Sequence, residues 1–210
     1  MIKKLVALCV AVTVWLMLVG CSGKKDYPAE TDLSFENSYT ASLCEILDKR
    51  HFSVTLELFH ENTFIGTSII EVNGDNVHMK GIPVPDEKNS IFGGENYYIG
   101  EKGYNFNDGC WVENTLGNSL STVNDPDCER LESCFFNSGI SPREMTLVKR
   151  EYDGDSVTET FENNSDRGME SVYITFNKKN GELLCSGYKD YKQEAVSFSE
   201  NVGEIVLPEN

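Results

Sequence analysis

Four Asn-Gly or Asp-Gly pairs interrupt this chain, and each stands between two runs of strand-forming residues. Such a pair favours the type I′ turn that joins antiparallel strands, because both central residues of that turn need a positive φ. The pairs are Asn73-Gly74, Asp108-Gly109, Asp153-Gly154 and Asn180-Gly181. A single pair would mean little, but four that coincide with the hydrophobic pattern predict a fold built mainly from antiparallel hairpins.

Hydrophobic periodicity distinguishes the first strand from a helix that precedes it. From His51 to Phe59, apolar residues alternate with polar ones, which is typical of a half-buried strand. Before it, a helix is predicted from Ser38 to Lys49, because Ser38 can cap it and apolar residues recur at helical spacing. A second, short helix is predicted after Asp125, with Pro126 in its first turn and Gly139 as its stop.

Together these elements predict the α+β class, mainly β. The expected architecture is an antiparallel meander with an N-terminal helix and one short helix inserted near its middle. The sequence shows no internal repeat and no second domain. We therefore expect one β-rich domain over residues 37–210.

The first residues carry the marks of an export signal. Lys3 and Lys4 precede an uncharged stretch from Leu5 to Leu18, which is short for a membrane span and suits a signal peptide. The quartet Leu18-Val19-Gly20-Cys21 resembles the lipobox of bacterial lipoproteins. That resemblance implies cleavage before Cys21 and a diacylglyceryl group on its thiol, with fatty acyl chains such as palmitate. Two or more chains hold a protein stably at a membrane.

The resemblance to lipoproteins divides the chain and sets its location. Residues 1–20 would be the signal peptide, and residues 21–36 would be the lipidated cysteine and a flexible tether. The protein is then expected at the cell membrane, lipid-anchored and facing the extracytoplasmic side. The alternatives are an ordinary secretory signal with a chance cysteine and an uncleaved N-terminal helix.

The net charge of the chain disfavours one class of partner. The formal net charge of −16 disfavours nucleic acid, which binds basic surfaces.

The cysteines leave the disulfide pairing undetermined. Beyond Cys9 and Cys21, five cysteines remain, and an odd number outside the cytoplasm leaves at least one thiol free or paired between chains. We expect mostly buried thiols. One disulfide could form, but the sequence does not identify its two cysteines. The five are Cys44, Cys110, Cys128, Cys134 and Cys185.

Signatures of catalysis and of metal binding are missing from the sequence. It has no G-x-S-x-G, H-E-x-x-H, P-loop or G-x-G-x-x-G motif, so we expect no enzyme activity and no cofactor. His51 and His60 stand at opposite ends of one predicted strand, and a metal trio with His78 would need the fold to bring all three together. The acids from Asp153 to Glu162, Glu159 among them, fail the EF-hand spacing and are interpreted as a solvated hairpin.

Three stretches resemble the superfamily of the outer-membrane lipoprotein carrier, which includes anchored mycobacterial envelope lipoproteins. The stretches are Leu43–Leu47 leading into Phe52–Leu56, Glu95–Ile99 through to Trp111, and Tyr173–Asn177 with the segments that follow it to Pro208. The resemblance implies a curved antiparallel half-barrel whose concave face is closed by helices around an apolar cavity. The carrier is a free shuttle, whereas the lipobox predicts an anchor, which favours capture or hand-over at one membrane.

A group of aromatic residues leaves two interpretations open. Six lie within twenty residues of predicted sheet, namely Phe92, Tyr97, Tyr98, Tyr104, Phe106 and Trp111. They could form an apolar or sugar-binding face, or they could pack across strands as part of the core, which is the more common role.

The leading functional hypothesis is a non-enzymatic membrane-anchored lipoprotein that binds a lipid-like or other apolar ligand in the concavity of the sheet. The rival is an envelope interaction or signalling accessory without a ligand cavity, whose protein partners the sequence does not name. Only the first needs a pocket of about 300 Å³ or more. Its expected lining residues are Val54, Leu56, Leu58, Ile174, Phe176 and Leu184.

Overall fold

A computed structural model describes residues 27–84, 94–100, 102–113, 141–163 and 171–209 of the chain. In these ranges, eleven antiparallel strands form a single open, curved sheet, accompanied by one α-helix and two short 3-10 turns. The predicted α+β class, mainly β, is confirmed. No helix among these residues is long and apolar enough to cross a bilayer.

The helix and strands are numbered in chain order. Helix α1 spans Tyr39–Asp48, and the 3-10 turns span Phe35–Asn37 and Pro142–Glu144. The strands are β1 His51–His60, β2 Thr63–Asn73, β3 Asn76–Pro83, β4 Gly94–Ile99, β5 Lys102–Asn107, β6 Cys110–Glu113, β7 Thr146–Asp153, β8 Ser156–Glu162, β9 Ser171–Asn177, β10 Leu183–Tyr188 and β11 Tyr191–Ser199.

All four predicted hairpins are confirmed. The pairs at residues 73, 108, 153 and 180 join β2 to β3, β5 to β6, β7 to β8 and β9 to β10. All four glycines have a positive φ, for example 84° at Gly109 and 55° at Gly154, but only Asp108-Gly109 has the positive φ of a type I′ turn at both residues. The local turn chemistry therefore determines these connections.

The order of the strands is not that of a single meander. It runs β6-β5-β4-β3-β2-β1-β11-β10-β9-β8-β7, so the first and last strands pair at the centre. Ser53 of β1 lies opposite Ser199 of β11, and Leu58 lies opposite Gln193. The sheet therefore consists of two meanders, β1 to β6 and β7 to β11, joined by one pairing between residues far apart in the chain.

Helix α1 begins and ends within one residue of its predicted bounds. Ser38 caps it, and its hydroxyl accepts a hydrogen bond from the amide of Ala41 at 2.9 Å. Leu43, Cys44 and Leu47 are buried on the side that packs on the sheet. The predicted helix after Asp125 lies outside the described residues.

The core lies between helix α1 and one face of the sheet, which we call the core face. Inward-pointing residues alternate along β1, β8 and β9, as the period-two pattern predicts. The largest fully buried side chains include Phe52, Phe161, Phe176, Leu47, Leu56 and Ile174. The opposite face of the sheet, which we call the outer face, carries Thr55, Glu71 and His78.

Candidate functional site

Five of the six residues expected to line a cavity are packed in the core. Val54, Leu56, Ile174 and Phe176 are at most 1 % exposed, and Leu58 is also buried. Side chains therefore fill the described part of the concavity around these residues.

Leu184 lies elsewhere, with 39 % of its surface exposed. The ladder between β9 and β10 is irregular between Leu183 and Cys185, so Leu184 has no partner across it. An extra residue of this kind shifts the alternation of side chains. Leu183 takes the buried position opposite Phe176, and the expectation that Leu184 faces inward is wrong.

A pocket of about 430 Å³ opens beside helix α1 instead. Its walls come from three parts of the chain: the segment before the helix, one side of the helix, and the turn between β9 and β10. The lining residues are Tyr27, Pro28, Glu36, Asn37, Ser38, Tyr39, Ser42, Leu43, Ile46, Lys178, Asn180 and Gly181. The volume lies in the range typical of ligand pockets, which is about 300–1,000 Å³.

A buried carboxylate fixes the helix that forms one wall of this pocket. Glu159 of β8 is fully buried and accepts hydrogen bonds from the backbone amides of Tyr39 (3.1 Å) and Thr40 (2.9 Å), and from the Thr40 hydroxyl (2.8 Å). Negative charge is favourable there, because the first amides of a helix have no partners within it and the helix dipole is positive at that end. The interpretation of Glu159 as part of a solvated hairpin is therefore wrong.

Arg150 of β7 balances that charge and holds a second wall. Its Nε donates to Glu159 at 2.9 Å, and both side chains are fully buried. Its Nη1 donates to the carbonyls of Ala29 (3.0 Å) and Asp32, and its Nη2 donates to that of Asn37 (3.2 Å). A guanidinium group presents five N–H donors in a rigid fork, which suits this set of acceptors.

These contacts tie residues 27–38, which we call the N-terminal segment, to the sheet. The hydroxyl of Tyr152 on β7 adds a further bond to the carbonyl of Pro28. Asp32 accepts from Ser34 and Asn37 within the segment, and these hydrogen bonds lower the pKa of its carboxyl group. Residues 27–36 were expected to belong to a flexible tether, but they form part of the domain and one side of the pocket.

At the turn between β9 and β10, the pocket is closed by Lys178, Tyr27 and Tyr39. The Lys178 Nζ donates to the carbonyl of Gly154 at 2.9 Å and lies 5.8 Å and 5.7 Å from the ring centroids of Tyr27 and Tyr152. Tyr39 stacks on Phe176, with 5.7 Å between centroids. Burial, with a smaller contribution from Tyr152, raises the pKa of Tyr39, so its hydroxyl stays neutral. The pocket has an apolar floor that includes Leu43 and Ile46, and a polar rim that includes Lys178.

A second polar cluster lies on the outer face of the sheet. The His78 ring nitrogens lie 2.7 Å from Glu71 and 2.8 Å from Glu95, and Lys80 donates to Glu95 at 3.0 Å. Burial opposes ionisation of Glu95, but hydrogen bonds from Lys80 and His78 hold the pKa of Glu95 below its ordinary value. The His78 ring also stacks on Tyr97, with centroids 4.2 Å apart.

The histidines do not converge on a metal site. His51 lies 3.3 Å from the side-chain oxygen of Asn73, and His60 packs against Tyr191. Among the described residues, no group of three or more His, Cys, Asp or Glu side chains has the arrangement of a metal site.

The aromatic residues divide between the two faces of the sheet. Tyr98 belongs to the core, whereas Tyr97 packs on the outer face against Trp111, which also contacts Phe106. Phe106 is 52 % exposed. Core packing therefore accounts for only part of the group, and Phe92 lies outside the described residues.

Three of the five cysteines lie within the described ranges, and they differ in burial. Cys44 is buried and Cys185 is half-buried, but Cys110 is exposed at the turn between β5 and β6, contrary to the expectation of mostly buried thiols. Cys128 and Cys134 lie outside these ranges.

Neither Arg150 nor Glu159 was predicted from the sequence to support a site, although one signal for Glu159 was present. In Val157-Thr158-Glu159-Thr160-Phe161, the acid occupies the same alternating position as two large apolar residues. An ionisable residue at such a position points into the core and needs a buried partner. The partner could also have been found, because the hairpin at Asp153-Gly154 pairs Asp153 with Ser156 and, in unbroken register, Arg150 with Glu159.

Comparisons with known proteins give only loose structural likenesses. No family model and no curated protein matches the chain. Three solved structures are similar at 10 % sequence identity. An uncharacterized conserved protein from Thermus thermophilus has a TM-score of 0.42, with 77 % of this chain and 90 % of that one covered. The LolA superfamily protein NE2245 from Nitrosomonas europaea has 0.33, with 80 % and 94 % covered. LprF from Mycobacterium bovis has 0.41, with 80 % and 97 % covered.

Proposed function

We propose that this protein is a non-enzymatic, lipid-anchored lipoprotein of the extracytoplasmic membrane surface that holds an apolar or amphipathic ligand in the pocket beside helix α1. The anchor part of the proposal rests on the lipobox-like residues that end at Cys21. The binding part rests on one observation, which is a 430 Å³ pocket whose floor includes Leu43 and Ile46. A pocket of this size with a few polar groups at its rim is typical of small-molecule sites.

Rigid walls support this function. When a pocket is already formed before binding, the binding free energy is not reduced by the entropic cost of ordering the pocket walls. Here the Glu159 carboxylate holds the helix and the Arg150 guanidinium holds the N-terminal segment, so two of the three walls are attached to the same buried ion pair.

The packed core favours a second candidate function, which is that of an interaction accessory. Because Val54, Leu56 and Ile174 are at most 1 % exposed, the described concavity has no space for a ligand at these residues. An interaction accessory, which would work through an exposed face or edge of the sheet, needs no such space. The two functions differ in whether the pocket is occupied.

Mass spectrometry of protein purified from membranes tests both parts of the proposal. The intact mass should show residues 1–20 removed and acyl chains on Cys21, since the leader resembles a lipoprotein signal. An organic extract should contain an apolar or amphipathic compound in proportion to the protein. Ser42→Trp should abolish that compound, because Ser42 is an exposed helix residue that lines the pocket and an indole would fill the space.

Glu45→Trp is the matched control, since Glu45 is exposed on the same helix but does not line the pocket. It should carry as much ligand as the wild type. An empty wild-type protein, or equal loading of Ser42→Trp and wild type, would favour the interaction accessory. A bare thiol with the leader attached would refute the anchor.

A further inference from the structure

The rim of the pocket carries one positive and one negative side chain. Among the lining residues, Lys178 is the only base and Glu36 the only acid. No ion pair joins these two within the part of the chain that the structure describes. A lysine ammonium has three donors, of which the bond to the Gly154 carbonyl uses one. Both charges are thus available to a ligand, although they sit on a strongly acidic protein.

The floor is apolar and of limited size. Leu43 and Ile46 lie one helical turn apart on the same side of α1, next to Tyr39. A volume of 430 Å³ is near the lower end of the usual range for ligand pockets, which runs from about 300 to 1,000 Å³. It suits one hydrocarbon chain better than the two of a diacyl lipid.

The position of the pocket relative to the anchor indicates where the ligand comes from. Tyr27 lines the pocket, and Cys21 precedes it by six residues. A fully extended chain spans at most about 3.6 Å per residue, so this stretch reaches no further than roughly 20 Å. Whatever its conformation, the mouth of the pocket is then held close to the bilayer surface.

We infer that the pocket takes a single-chain zwitterionic phospholipid from that bilayer, with the phosphate near Lys178, the ammonium near Glu36 and the chain over Leu43 and Ile46. The inference rests on the proposed function. Opposite charges at the rim discriminate against ligands with one charge or none, because a rim charge that the ligand does not match loses hydration on binding and gains no partner.

An extraction assay tests this inference. The soluble mature chain with Cys21→Ser is incubated with phosphatidylcholine vesicles that contain one of three amphiphiles with the same oleoyl chain: lysophosphatidylethanolamine, oleate or monooleoylglycerol. The vesicles are pelleted, and the amphiphile in the supernatant is measured by mass spectrometry above a protein-free background. We expect the zwitterion to be extracted about fivefold more than the other two, which is the ratio expected from one partly exposed charge pair.

Charge variants make the assay specific. Lys178→Gln should reduce extraction of both lysophosphatidylethanolamine and oleate, and Glu36→Gln should reduce that of the zwitterion alone. The matched control is Lys179→Gln, because Lys179 is the adjacent lysine but pairs with Asp155 at 2.8 Å and does not line the pocket. It should behave as the wild type.

The outcomes separate the inference from the proposed function. If all three amphiphiles are extracted equally and the charge variants have no effect, while Ser42→Trp abolishes extraction, the pocket binds lipid but the headgroup inference is wrong. Extraction that Ser42→Trp leaves intact, or no extraction of any amphiphile, overturns the inference together with the proposed pocket.

Discussion

Two charged clusters on opposite faces of the sheet show how differently this fold uses ionisable groups. Arg150 and Glu159 lie on the core face with no exposed side-chain surface, and apart from the Thr40 hydroxyl their other hydrogen-bond partners are backbone groups. On the outer face, His78 and Glu95 keep 12 % and 24 % of their side-chain surface exposed. The first cluster joins three parts of the chain, whereas the second joins neighbouring strands that already pair.

The comparison indicates where an ionic interaction is structurally necessary. A buried charge that loses its partner bears the cost of desolvation without compensation, whereas a partly exposed one is screened and hydrated by water. The core cluster should therefore control stability and the walls of the pocket. The outer cluster should make a small contribution that depends on pH.

The largest effect is expected from Glu159→Gln, which leaves Arg150 buried without a counter-ion and weakens the N-terminal contacts of helix α1. We expect the free energy of unfolding to fall by about 3–5 kcal/mol in urea denaturation. Glu151→Gln is the control, because Glu151 is exposed on β7, next to Arg150, and pairs with the exposed Lys149. A loss below about 1 kcal/mol would show that the buried pair is not the main attachment of the helix.

A smaller effect is expected from Glu95→Gln, and it should depend on pH. The pKa of Glu95 is lower in the folded chain than its ordinary value, so its carboxylate contributes stability above about pH 4.5. That contribution is lost as the pH falls through the lowered value. Wild type should therefore exceed the variant by about 1 kcal/mol or less at pH 7, and the gap should close on acidification. A gap that is constant with pH would contradict this.

The smallest effect is expected from Lys102→Gln, which removes an ion pair between exposed side chains. Lys102 donates to Glu113 at 3.0 Å across β5 and β6, and this hydrogen bond raises the pKa of the lysine. Water and salt screen such a pair, so we expect no measurable shift in the thermal midpoint. A clear destabilisation would mean that the outer face depends on its charges more than their exposure indicates.

The local features of the fold were predictable from the sequence. Helix α1 was predicted from its cap at Ser38, and the hairpins were predicted from dipeptides such as Asn73-Gly74. Both depend on residues that are neighbours in the chain. The candidate cavity residues were predicted from the alternation of apolar and polar residues along strands. That prediction is wrong at Leu184, because an irregularity in the ladder between β9 and β10 changes the direction of its side chain.

The pocket was not predictable in this way. Its walls combine residues near 27, 46 and 178, and no periodicity relates these positions. Likewise, the bond between Arg150 and the carbonyl of Asn37 joins residues 113 positions apart. Only the packing of the N-terminal segment and the helix against the second meander brings them together.

The lipobox-like residues, the hairpins, the capped helix and the mainly β class could all be recognised from the sequence alone, because each depends on residues a few positions apart. Only the packing of the whole chain places β1 beside β11, brings the first amides of helix α1 to Glu159, and puts the pocket beside the helix rather than in the described part of the concavity. These contacts join segments more than a hundred residues apart, and no local pattern in the sequence relates such segments.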